Sequence, residues 1–158
     1  MKLRHVKTGV ILGSLVMLAV AGSAIGQSPM STSDTIAARQ KLMKEQGAAM
    51  KSINDKAKAG QHQAIGPDAE KLVETSKRIL SLFPAGSLDP STSRAKPEIW
   101  QKWSEFEGNA KNLESKATQL AATSRTGNAE TTNAAITDLG KTTCTVCHDA
   151  FRGPEIKK

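Results

Sequence analysis

The stretch Cys144-Thr145-Val146-Cys147-His148-Asp149-Ala150-Phe151-Arg152 lies near the C-terminal end of a 158-residue chain and holds its only two cysteines. Cys-x-x-Cys-His is the signature of covalent c-type haem attachment. On a helix, three residues advance the chain by about 300°, so the two thiols point to neighbouring sides of one face and reach adjacent vinyl groups. His148 comes four residues after Cys144, on that same face, and is placed to bring an imidazole beneath the iron. Other readings of two cysteines stand beside this one. In an exported chain they form a disulfide. A dithiol redox pair usually sits in a strand-helix context, and no strand pattern precedes Cys144. A zinc site needs more ligands, and beyond the motif the chain offers little besides His62. The complete motif favours one covalent haem c, held by Cys144 and Cys147, with His148 as the proximal axial ligand of the iron.

Upstream of the motif the chain reads as helix. It has no Tyr and only three Phe and two Trp, and it is rich in the straight-chain residues and Ala that favour helices. A first helix is expected from about residue 33 to 59, with Ile36, Met43, Met50, Ile53 and Ala57 on one face. Gly60 is its stop signal. Gly66-Pro67 opens a second helix, with Leu72, Val73, Ile79, Leu80 and Phe83 on its stripe and Pro84 at its end. Residues 85–96, with Gly86 and Pro90, form the longest loop. Pro97 opens a third helix carrying Ile99, Trp103, Phe106, Ala110, Leu113, Ala117 and Leu120. Asn128 caps a fourth, which runs through Ile136, Leu139, Val146, Cys147 and Phe151 to Gly153-Pro154. Four amphipathic helices joined mostly by short turns predict an all-α, antiparallel up-down-up-down four-helix bundle with the haem near the C-terminus.

The N-terminus is not part of that bundle. Lys2, Arg4 and Lys7 precede an apolar run from Gly9 to Ala24, followed by small residues and Gln27. A basic head, a short apolar run and a small-residue exit make a secretory signal peptide over residues 1–26. The run is shorter than the ~20 residues that span a bilayer comfortably, so cleavage is expected rather than stable membrane insertion. Residues 27–158 are then the haem domain, exported to the periplasm. Removing those three bases lowers the net charge from +7 to +4. The remaining bases are spread along the chain, which does not read as a nucleic-acid stripe.

Arg39-Gln40 in the first helix, Pro97-Glu98-Ile99-Trp100 opening the third, and Cys144 to Arg152 in the fourth together resemble the class II c-type cytochromes, the cytochrome c-prime family. The resemblance covers nearly all of residues 27–158. No Met or His follows His148, so a sixth protein ligand must come from Met30, Met43, Met50 or His62. By resemblance, Met43 occupies the position that faces the distal side of the haem. Arg39-Gln40-Lys41-Leu42-Met43-Lys44 looks like the low-spin cytochrome c-556 branch, which implies Met43 as the distal axial ligand. The bland alternative is a Met that packs in the core. Met50 is expected in the core, and His62 in a solvated polar loop. Arg39 suits a haem propionate, or else a solvated helix face; Arg152 is expected near the proximal ring.

With both axial sites filled, iron does little but change oxidation state. The expected function is therefore electron transfer with redox proteins as partners, not enzymic catalysis. The alternative is a five-coordinate cytochrome c-prime that binds small gases such as nitric oxide or carbon monoxide. A haem enzyme would need acid-base groups on the Met43 face. Dimerisation is common in the family, so a homodimer is among the expected assemblies.

Overall fold

The computed structural model describes residues 30–156. The proposed signal peptide and the start at Gln27 lie outside the described residues. Helix α1 spans Thr32–Lys58. Its N-cap is Ser31, whose hydroxyl accepts from the Asp34 amide at 3.1 Å and donates to the Asp34 carboxylate at 2.6 Å. This reciprocal arrangement satisfies an orphan amide and places a negative charge at the helix start. Helix α2 spans Gly66–Ser76 with Pro67 in its first turn. Helices α3, Glu98–Gln101, and α4, Trp103–Ser124, make the third leg. The fourth is α5, Ala129–Leu139, then a π-helical turn, Gly140–Thr145, then α6, Val146–Phe151. Consecutive legs pack on one another, and α1 also contacts α5, which closes the ring of a four-helix bundle.

The core runs along the bundle axis. Leu42, Ile53, Ile65, Leu72, Ile99, Leu120 and Leu139 are almost wholly withdrawn from solvent, and each such side chain stabilises the fold by about 1.5–3 kcal/mol relative to exposure. The α4–α5 turn needs Gly127, whose φ of 72° lies in the left-handed region.

Three features depart from the sequence reading. The second leg leaves α-helical geometry at Ser76, and Leu80–Leu82 form a 3₁₀ turn. The Thr75 hydroxyl donates to the Lys71 carbonyl and that of Ser76 to the Val73 carbonyl, both at 2.8 Å; such back-bonding loosens a helix end. Lys102, with φ −120° and ψ 47°, interrupts the third leg. In the fourth leg the π turn inserts a phase shift just before the haem motif. As a result Val146, expected on the apolar stripe, is 46% exposed.

Candidate functional site

The π turn determines how the motif is presented. Gly140 sits at its start, and the hydroxyls of Thr142 and Thr143 donate to the carbonyls four residues back, while Thr145 reaches Gly140 O, five back, at 3.2 Å. Asn112 of α4 donates to the Thr142 carbonyl at 3.0 Å and pins the turn from the side. Cys144 lies in the π turn, and Cys147 and His148 lie in α6. The two cysteines are therefore divided between the π turn and the α-helical turn that follows it. Single π turns inside helices recur at functional sites.

Both cysteines are half-buried. Burial, and then the neighbouring Cys144, pushes the Cys147 thiol up to about 11. Burial lowers the His148 imidazole below its ordinary value; Arg152 and Arg94 add to this and Asp149 opposes it. A neutral imidazole is the form that binds a metal.

Cys144, Cys147 and His148 line a cavity of about 630 Å³ that runs between the legs, a size typical of cofactor sites. Its walls are Leu72, Ile79, Phe83, Ile99, Phe106, Ala110, Leu113 and Phe151. Phe106 is the hub: its ring meets Phe83 at 4.9 Å and Phe151 at 5.4 Å, both edge-on. The charged lining residues are Arg39, Lys44, Arg94 and Arg152, and no carboxylate lies among the described lining residues. An apolar slot with paired thiols, an imidazole and a cationic lining fits a flat, dianionic macrocycle carrying an iron.

On α1, Arg39, Met43, Gln46 and Met50 form one stripe along the cavity. Of the sulfur and imidazole candidates for a sixth ligand, Met43 and Met50 line the cavity. Met30 is 54% exposed and does not. His62 is not solvated, as expected from its polar loop, but 7% exposed in a 3₁₀ turn, His62–Ile65. Its Nδ1 lies 3.2 Å from the Gly60 carbonyl oxygen, and it borders a separate depression with Gln63, Thr126 and Gly127.

Arg39 is 2% exposed, so it does not sit on a solvated face. Its Nη1 donates to Ser87 Oγ at 3.1 Å; its Nη2 donates to Ser87 O at 2.8 Å and to Ser93 Oγ at 2.9 Å. The guanidinium lies 4.9 Å from the Phe83 ring centre, within cation–π range. Desolvation lowers its pKa and Asp89 opposes the shift. Arg39 Nε and Gln46 Nε2 are buried without a partner. Arg152 is exposed at the cavity edge. Trp100 packs against Phe83 and donates to the Phe83 and Pro84 carbonyls at 3.1 Å, while Trp103 stands at the surface, 36% exposed.

Sequence reasoning missed Gln46, Ser87 and Ser93. Gln46 had a signal, three residues after Met43 and seven after Arg39 on one helical face. The two serines lie in an irregular loop, where no periodicity marks them.

The sequence pattern of the family described as Cytochrome C' matches residues 34–152. Among curated relatives, a cytochrome c-556 of Rhodopseudomonas palustris is 30% identical over 156 residues, covering 94% of this chain and 98% of its own. A cytochrome c' of the same organism is 29% identical over 146 residues, covering 89% and 94%. Among solved structures, a nitric oxide complex of a mutant of cytochrome c prime from Alcaligenes xylosoxidans superposes with a TM-score of 0.71 at 22% identity, covering 81% of this chain and 100% of that one.

Proposed function

The chain belongs to the cytochrome c' family, carrying one covalent haem c, and we propose that it transfers electrons through an iron held between His148 and Met43. Cys144 and Cys147 hold the haem by thioether bonds in this reading. The observation that carries it is that Met43 lines the same cavity as Cys144, Cys147 and His148. The haem supplies one-electron chemistry when bound. The chain's part is to exclude water with the Phe83, Phe106 and Phe151 wall, to hold the imidazole neutral, and to offer a soft thioether. A neutral thioether opposite His raises the potential relative to an anionic ligand. The lining bases, Arg39 and Arg152 among them, suit the two haem carboxylates.

A second reading has the larger share of the comparisons behind it. Of three curated relatives two are cytochromes c' and one is a c-556, and a solved structure of the same fold is a nitric oxide complex of a cytochrome c prime mutant. In that reading the distal position is open, Met43 and Met50 only line the pocket, and a small gas binds the iron. The absorption spectrum of the holoprotein in both oxidation states separates the two. A low-spin wild type that turns high-spin in Met43→Leu supports electron transfer; a high-spin wild type transfers the proposal to gas binding.

We also propose export to the periplasm with cleavage before Gln27, redox proteins as partners, and self-association into a homodimer. Among the described residues no helix is long and apolar enough to cross a membrane.

A further inference from the structure

The loop between the second and third legs is tied at both ends to the site. At one end it holds α1. Ser87 and Ser93 accept three hydrogen bonds from Arg39 at 2.8–3.1 Å, and the Thr92 carbonyl accepts from Gln40 Nε2 at 2.7 Å. At the other end it holds the segment just after His148. Lys96 N donates to Phe151 O at 3.1 Å, and Gly153 N donates to Arg94 O at 2.7 Å. The Arg94 and Lys96 side chains add bonds to Gly153 O at 2.9 Å and Ala150 O at 2.8 Å. Asp89 stiffens the middle by accepting from the Ser91 amide and from the hydroxyls of Ser91 and Thr92.

We propose that this loop, residues 85–96, is a latch that fixes the spacing between the α1 wall and the His148 segment, with Arg39 as its positioning residue. It rests on the reading of Met43 as the distal ligand and deepens it. Arg39 lies one helical turn before Met43, so the bonds that hold Arg39 hold the backbone carrying the thioether. The loop itself, through Ser93, Arg94 and Ala95, forms part of the cavity wall. Releasing the latch lets α1 move away from the haem, weakens the Met43 bond and opens a way in for a diatomic ligand. The three bonds that Ser87 and Ser93 accept tie the buried guanidinium to the loop, and that keeps the two walls in register.

The test is the rate of carbon monoxide binding to the ferrous holoprotein, read beside the spin-state spectrum. The variants are Arg39→Lys, which keeps the charge but not the fork, and the double variant Ser87→Ala with Ser93→Ala. A hydrogen bond to a charged donor is worth roughly a factor of ten or more in an equilibrium constant, so both should bind carbon monoxide about tenfold faster than wild type and show a high-spin fraction. Ser93→Thr keeps the hydroxyl and should stay within about twofold. Asp68→Asn is the stability control: it breaks the half-buried Lys56–Asp68 pair, 2.6 Å apart and far along α1 from Arg39, and should lower thermal stability without accelerating binding. Wild-type rates in both latch variants would overturn the proposal, as would equal acceleration in Asp68→Asn. If wild type proves high-spin, the Met43 reading fails by itself, and the latch stands or falls on the carbon monoxide rates alone.

Discussion

Replacing Phe106 separates what its size contributes from what its ring geometry contributes. The side chain is 3% exposed and meets three aromatic rings: Phe83 at 4.9 Å and 63°, Phe151 at 5.4 Å and 86°, and Trp103 at 5.6 Å and 43°. Edge-to-face pairs are worth about 0.5–1.5 kcal/mol each beyond area burial, so the two with Phe83 and Phe151 contribute about 1–3 kcal/mol. Phe106→Leu keeps most of the apolar volume and should lose about that much. Phe106→Ala also opens a void beside the cavity and should cost about 3–5 kcal/mol. Urea titrations of the holoprotein, followed by far-ultraviolet circular dichroism, measure both, with the m-value required to stay constant. The haem is tethered in the folded and unfolded chain alike, so its release does not enter the difference. If Phe106→Leu matched wild type while Phe106→Ala lost more than about 3 kcal/mol, ring geometry would contribute nothing. If Phe106→Ala cost less than about 1 kcal/mol, the aromatic wall would not be a packed structure at all.

Other outcomes follow from single groups. Asn128 Oδ1 accepts from the Thr131 amide at 2.9 Å and caps α5, so Asn128→Ala should lower stability by about 1 kcal/mol; an unchanged urea midpoint would show that the cap is idle. Protein made with a cytochrome c maturation system should keep its haem on denaturing gels, and a Cys144→Ser, Cys147→Ser pair should lose it; haem released from denatured wild type would rule out thioether attachment. Intact-mass measurement should give a chain beginning near Gln27, whereas a chain still beginning at Met1 and extracted only by detergent would point to an anchor.

Much of the fold could be read from periodicity because it depends on it: Leu72, Ile99, Phe106, Leu113 and Leu120 recur at helical spacing and are all buried. Helix α1 was found within one residue at each end, at Thr32 and Lys58, since Gly60 with its φ of 73° stops it clearly. The second leg was drawn too long because Ile79 and Phe83 stay buried after α-helical geometry ends; a 3₁₀ turn preserves the face while changing the pitch. The Thr75-Ser76 pair was the available sign. The π turn had Gly140 and three nearby threonines as signs, but a period-based reading cannot see a phase shift, and so it misplaced Val146. In the site, Cys144, Cys147, His148 and Met43, singled out by motif and resemblance, line one cavity. The burial of Arg39 was not, since its partners Ser87 and Ser93 are set by the path of a loop, and loop paths leave no period in sequence. The burial of His62 was missed as well: a polar stretch reads as a solvated loop, whereas His62 starts a 3₁₀ turn and is 7% exposed.

The central claim concerns the ligand opposite His148, and the absorption spectrum of the wild-type holoprotein, recorded oxidised and reduced, tests it most directly. The account predicts a low-spin haem in both states, lost in Met43→Leu, where volume and apolarity are nearly kept, and retained in Met50→Leu. A high-spin wild-type spectrum would contradict it, as would a Met43→Leu variant that kept the wild-type low-spin spectrum.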